Sequence, residues 1–213
     1  MTTYALAERA RLTELLAAAG PDAPTLCAGW TTRDLAAHLV LREARPDASA
    51  GIRIKPLHGW TARVQTGYAE LPYPELLRRF RSGPPLLSLF ALPGADEAAN
   101  VVEYFVHAED VRRAGDEGAE PKAPSEGLTE LLWRRLPAVA RFGTGVKLPV
   151  RLALRRPDGR TVEIGPKAAP VVEVTGEPGE LVLFAYGRGA RAAVTAEGPT
   201  DAIEALCAAL PLP

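Results

Sequence analysis

The spacing of the apolar residues changes near residue 145, and this change constrains the fold more than any other feature of the sequence. Before it, apolar side chains recur at the three- and four-residue intervals of amphipathic helices, as in segment 5–19. After it, segment 150–156 alternates apolar and basic residues, as a half-buried strand does. We therefore predict a helical domain over 1–145 and a small α+β domain over 146–213.

Helix and strand boundaries follow from capping and turn residues. Thr31 and Asp34 have the spacing of a capping box, and Gly115 is a good helix terminator. The predicted helices cover 5–19, 31–45, 57–64, 74–81, 96–114, 125–142, 180–186 and 200–210. The predicted strands cover 150–156, 161–164, 171–174 and 192–196.

Composition and charge give no indication of a nucleic-acid or membrane partner. The 213 residues carry a net charge of −1, which does not favour nucleic acid or an anionic membrane as a partner. No apolar run is long enough to span a bilayer, and the N-terminus does not resemble a secretion signal. Two distant cysteines make no disulfide framework. We expect a cytoplasmic protein, and its Arg-, Ala- and Pro-rich composition suggests a GC-rich genome.

The predicted helix 96–114 carries the chain's most informative polar pair. Glu103 and His107 lie one turn apart and share a stripe with Asp110, while the flanking positions are apolar. A carboxylate and an imidazole in an apolar helix need partners, because burying either alone costs several kcal/mol. A divalent metal is one such partner, and His38 on the second helix would be a third ligand. The alternative is a plain contact between two side chains on a helix surface, worth roughly 0.2–0.5 kcal/mol.

Two segments together resemble a known family. Residues 29–39, with His38, and residues 103–110 look like the metal-binding segments of DinB-like four-helix bundles, in particular the branch of mycothiol-dependent maleylpyruvate isomerase. The resemblance implies a DinB-like bundle that binds a divalent metal through His38, Glu103 and His107. It also implies a second domain similar to sterol carrier proteins, in which Gly187-Arg188 follows a helix.

The resemblance implies a thiol-dependent metalloenzyme from an actinobacterium. Its metal would be zinc in the first place, with nickel, cobalt, manganese or iron as alternatives, and mycothiol would be the co-substrate. A metal-bound thiol loses its proton and becomes a nucleophile, so the expected reaction is isomerisation of a small electrophile or S-transfer to it. We expect a monomer or a homodimer. The rival interpretations are a non-catalytic binding protein and a hydrolase that uses metal-bound water.

Further polar residues are weighed against structural roles. Arg42 and Arg45 would bind a substrate or co-substrate carboxylate, or would be the solvated end of the second helix. Asp110 would orient His107 or pair with a neighbouring arginine. Arg188 would reach across the domain boundary to an anionic substrate or cofactor, or form a structural ion pair. Cys27 is interpreted as a small buried residue, and His58 as a surface or loop histidine.

Overall fold

The protein divides into two compact units, Met1–Ala119 and Glu120–Pro213. The structure is a computed structural model that describes residues 3–52, 54–86, 88–92, 94–115, 120–142 and 147–213. The predicted domain boundary at 145/146 lies outside the described residues and stays a prediction. Within the described part, the helix at Glu126–Phe142, which we assigned to the first domain, packs in the second unit.

Unit 1 is helical, as the apolar spacing predicts. Helix α1 packs along α6, and α2 packs against α4 and α5. The helices are α1 (Tyr4–Ala19), α2 (Thr32–Ala44), α3 (Pro46–Ser49), α4 (His58–Ala69), α5 (Tyr73–Arg81) and α6 (Ala95–Ala114). Short 3-10 turns cover Ala50–Ile52, Lys55–Leu57 and Leu89–Ala91.

Helix α2 begins where the sequence predicts. The Thr31 side chain accepts a hydrogen bond from the Asp34 amide, and the Asp34 carboxylate accepts one from the Thr31 amide, which completes the capping box. Asp34 is therefore a helix-start residue. Helix α4 extends five residues beyond the predicted Val64, to Ala69, because the Gly67 that lowers its helix propensity is tolerated in a helix packed on α2.

A buried ionic network joins four segments of unit 1 around Arg9, whose side chain is 2% exposed. The guanidinium donates to Glu43 at 2.7 Å, to the Phe80 carbonyl at 2.9 Å and to Asp96 at 3.1 Å. The Tyr104 hydroxyl accepts from Arg9 and donates to Glu43, both at 2.5 Å. Each charge in this part of the core therefore has an opposite charge and further hydrogen bonds.

Glu109 on α6 is the centre of a second buried ionic cluster, with three arginines. From this cluster we predict that the fold is sensitive to acid. Burial alone would raise its pKa, but hydrogen bonds from Arg112, Arg113 and Arg11 outweigh burial and lower the pKa of Glu109 from 4.5 to about 2. A depressed carboxyl pKa contributes stability that is complete above pH 4.5 and is lost as the pH falls toward 2.

We therefore expect the free energy of unfolding to fall by roughly 3 kcal/mol over that interval on account of Glu109. Urea unfolding at pH 6, 4, 3 and 2 measures it, and Glu109→Gln should remove this part of the pH dependence. An equal pH dependence in wild type and Glu109→Gln would contradict the assignment.

Unit 2 is a small α+β fold with one four-stranded sheet in the order β2-β1-β3-β4. Strand β1 pairs antiparallel with β2 and parallel with β3, and β3 pairs antiparallel with β4. The strands are β1 (Arg151–Arg155), β2 (Thr161–Ile164), β3 (Val171–Gly176) and β4 (Val194–Glu197), and the helices are α7 (Glu126–Phe142), α8 (Pro178–Leu183) and α9 (Thr200–Ala209).

Alternation along the strands places apolar side chains in the core of unit 2. Leu152, Leu154, Val172 and Val174 are fully buried, and α7 and α8 pack together beside the sheet. Helix α8 is followed by a wide turn that ends at Gly187, whose φ of 81° is a conformation that favours glycine. In the described part of the chain, no helix combines the length and apolarity needed to cross a bilayer.

Candidate functional site

The middle of α2 and the middle of α6 bring the three predicted ligand residues into one region of unit 1. The rings of His38 and His107 have centroids 5.9 Å apart and meet edge to face. One turn before His107, Glu103 places Oε2 3.5 Å from Nε2 of that imidazole. Each histidine is only 7% exposed, so this polar group is enclosed by the bundle.

His107 lies between two carboxylates, one on each ring nitrogen. Its Nδ1 is 2.9 Å from Oδ2 of Asp110, which is fully buried. Burial favours the neutral ring, but hydrogen bonds with Asp110, Cys27 and Glu103 outweigh it and raise the pKa of His107 well above 6.5. The contact on Nδ1 is the one that orients a histidine whose Nε2 binds a metal.

The protonation states of the other two residues suit a divalent cation. Burial, and then the nearby His107, lower the pKa of His38 from 6.5 to about 4, so the ring is neutral at pH 7. Burial opposes ionisation of Glu103, but the hydrogen bond with His107 and the charge of Arg42 lower its pKa to about 2. Metals bind neutral imidazole and ionised carboxylate, so the protonation states of His38 and Glu103 are the ones a metal ligand needs; the ligand set of His38, Glu103 and His107 stays a prediction.

Arg42 and Arg45 lie in different surroundings: Arg42 is beside Glu103, and Arg45 is at the surface. The Arg42 guanidinium lies 3.6 Å from Glu103 and donates to the Asn100 side chain and to the Ala99 carbonyl. It therefore holds Glu103 from the side of α2. The Arg45 guanidinium, by contrast, lies on the surface and makes two hydrogen bonds with Asp47, at 2.8 and 2.7 Å.

In unit 2, Arg188 donates to the Tyr186 carbonyl at 2.8 Å, directly after the turn at Gly187. Its predicted role with an anionic ligand stays a prediction. The predicted roles of Arg42 and Arg45 as carboxylate-binding residues likewise stay predictions.

A pocket of about 460 Å³ opens beside His38, between α2 and α4. His38 itself lines it, together with the indole of Trp30, whose ring centroid is 5.0 Å from that of His38. Gln65 also lines the pocket and hydrogen-bonds His38. A small molecule in this pocket would therefore contact the imidazole that the sequence assigns to a metal.

Close packing of the segment before α4 shapes one wall of the pocket. The Thr61 hydroxyl donates to the Ala48 carbonyl at 2.5 Å, and Gly51 lies against both Thr61 and the Leu57 carbonyl. A Cβ atom at position 51 would overlap both. Only glycine permits this approach.

Sequence reasoning missed two residues of this region. His58 is exposed, as expected, but it begins α4 and lines the pocket. Cys27 is half-buried, and its thiol donates to Asp110 at 3.2 Å. Neither position follows from periodicity, since each depends on a tertiary contact.

Among the described residues, Cys27, His107 and Asp110 are the metal-type side chains whose donor atoms all lie within 4.8 Å of one another. The Cys27 sulfur is 3.9 Å from Nδ1 of His107. Cys27 and Asp110 thus lie at the Nδ1 side of the His107 ring, whereas Glu103 lies at its Nε2 side.

Comparisons with known proteins agree with the resemblance seen in the sequence. Two crystal structures match the fold over 91% of this chain and 90% of theirs: a mycothiol-dependent maleylpyruvate isomerase, at 17% identity and a TM-score of 0.53, and a point mutant of such an isomerase, at 16% and 0.54. At this identity they show a shared fold. A search of curated proteins found no significant match.

The match in sequence covers the helices that build the candidate site up to α5. Residues 4–88 match the family model described as "Mycothiol maleylpyruvate isomerase N-terminal domain". This segment contains His38 and the pocket-lining residues of α2 and α4. The resemblance predicted from the sequence is thereby confirmed: residues 4–88 of this chain are similar to the mycothiol maleylpyruvate isomerase N-terminal domain.

Proposed function

We propose that this protein is a metal-dependent enzyme that uses a low-molecular-weight thiol, mycothiol, to isomerise a small electrophile or to transfer sulfur to it. One observation carries the proposal: His38 is a buried, neutral imidazole whose ring meets that of His107 edge to face, beside Glu103, and it also lines a pocket of about 460 Å³. A binding module has no need of an uncharged histidine beside a carboxylate and a second histidine. The fold shared with mycothiol-dependent isomerases supports the choice of thiol.

His38, Glu103 and His107 would hold the metal, zinc in the first place, with nickel, cobalt, manganese or iron as alternatives. A metal there supplies a positive charge that stabilises a bound thiolate near neutral pH. The rest belongs to the chain: Asp110 orients His107, Arg42 keeps Glu103 ionised, and Gln65 orients His38 toward the pocket. Trp30 and the α4 side chains line the space in which the electrophile would meet the thiolate.

In finer detail, we propose that unit 1 is a DinB-like bundle and that unit 2 is related to sterol carrier proteins. The helical composition of unit 1 and the four-stranded sheet with helices in unit 2 support this. We further propose a cytoplasmic protein that acts as a monomer or homodimer on small molecules only. The domain boundary at 145/146 belongs to the same proposal.

The direct test is thiol binding to cobalt-substituted protein. We expect added mycothiol to produce a thiolate-to-cobalt absorption band, because the sulfur would enter the open position of a three-ligand site. The experiment is done in a Cys27→Ser variant, so that no thiol of the site itself contributes to the spectrum. His58→Gln is the matched control, since His58 lines the pocket but is outside the predicted ligand set.

A spectrum that mycothiol leaves unchanged would exclude thiol ligation and favour a hydrolase or a binding protein. If the spectrum does change, maleylpyruvate and related conjugated acids are then tested as substrates with and without mycothiol. Isomerisation that requires the thiol assigns the isomerase reaction, and a stable thioether product assigns S-transfer.

A further inference from the structure

The loop before α2 brings a thiol to the edge of His107 that faces away from Glu103. The Leu26 amide donates to the Asp110 carbonyl at 3.2 Å, which anchors the loop to α6. Within the loop, the Cys27 amide donates to the Thr25 hydroxyl, which in turn donates to the Trp30 carbonyl. The position of the Cys27 sulfur is therefore determined by a hydrogen-bonded loop on α6.

Three donor atoms meet at this edge. The Cys27 sulfur is 3.2 Å from Oδ2 of Asp110 and 3.9 Å from Nδ1 of His107, and the oxygen and nitrogen are 2.9 Å apart. In a tetrahedral zinc site with bonds of about 2.0–2.3 Å, two ligand atoms are separated by roughly 3.3–3.6 Å. The observed separations bracket this range, so shifts of about half an ångström would complete three corners of a tetrahedron.

We propose that Cys27, Asp110 and Nδ1 of His107 form a second metal position, for a thiophilic divalent cation such as Zn²⁺. The donor set of one thiolate, one imidazole and one carboxylate is of the kind that zinc prefers. Asp110 is fully buried, and a buried carboxylate gains far more from a cation than an exposed one does. Binding releases the thiol proton and the Nδ1 proton to solvent, and no oxidation or reduction takes place.

The second position would compete with the proposed site at His38, Glu103 and His107 for the imidazole of His107. A neutral imidazole has one free lone pair, so His107 can direct it toward Glu103 through Nε2 or toward Cys27 through Nδ1. A metal at Cys27 therefore withdraws His107 from the set His38, Glu103 and His107. The second position needs neither His38 nor Glu103, and so it does not depend on the proposed function.

Cobalt binding in the absence of any added thiol tests the second position. We expect a thiolate-to-cobalt band in wild type and in the double variant His38→Ala/Glu103→Gln, and at least a tenfold loss of its intensity in Cys27→Ser. The other cysteine, Cys207, is exposed on α9, and Cys207→Ser should keep the band. This variant is the matched control.

The absence of a band from folded wild type, or its persistence in Cys27→Ser, would overturn the proposal and leave the cluster a hydrogen-bonded network. Circular dichroism confirms folding of each variant. If the double variant fails to fold, Asp110→Asn replaces it, and the band should then be lost. A failure of the proposed function would be seen in a different experiment, in which mycothiol leaves the spectrum of the cobalt-substituted Cys27→Ser protein unchanged.

Discussion

Zinc affinity is expected to fall by at least about 100-fold when His38 is replaced by alanine or Glu103 by glutamine. Loss of an outer partner of a metal ligand already costs 10–100-fold, and a direct ligand should cost more. Both side chains have the protonation state that a metal needs, because the pKa values of His38 and Glu103 lie near 4 and 2. Chelator competition with purified protein measures the affinity.

The variants should be made in a Cys27→Ser background, so that zinc has one position to occupy. The chain has three histidines, and the third supplies the control: His58→Gln should bind zinc as the parent does. Glu103→Gln preserves shape, and Arg42 keeps its hydrogen bonds with Asn100 and Ala99. Equal zinc affinity in all three variants would show that the predicted ligand set is wrong.

Arg9→Met is expected to reduce the free energy of unfolding of unit 1 by about 3–5 kcal/mol, the cost of removing one partner from a buried ion pair. The substitution leaves Glu43, whose side chain is 4% exposed, without its guanidinium. Burial is the largest influence on Glu43 and already raises its pKa despite Arg9. Without Arg9 the carboxyl must either remain a costly buried anion or take up a proton.

Urea unfolding followed by Trp30 and Trp60 fluorescence in a Trp133→Phe background reports on unit 1. The matched control is Arg79→Met, which removes an arginine from the exposed pair with Glu75 and should cost no more than about 1 kcal/mol. A double variant with Glu43→Met should recover part of the loss, since it removes the stranded charge. Equal effects at positions 9 and 79 would mean that the network does not stabilise the bundle.

The sequence predicts local features of this protein well because their causes are local. The capping box of Thr31 and Asp34 was recognisable since both partners lie within one turn. The same is true of the Glu103–His107 pair on α6. Alternation in β1 likewise places Leu152 and Leu154 in the core. These features require only the helical or strand period and the chemistry of neighbouring residues.

Features that depend on contacts between distant segments were not accessible from the sequence. Arg9 belongs to an amphipathic helix and would be expected at its surface, but Glu43, Asp96 and Tyr104 from α2 and α6 enclose it. Cys27 meets Asp110 across 83 positions of the chain. The end of α4 depends on packing against α2, which overrides the low helix propensity of Gly67.

The contact at Gly51 has a consequence for the range of molecules that the pocket admits. Thr61 and the Leu57 carbonyl leave no room for even a methyl group at that position. Any larger residue there would displace the start of α4 and move His58 and Thr61 relative to His38. A substitution at position 51 would thus change the shape of the pocket while leaving the side chains of His38, Glu103 and His107 unaltered.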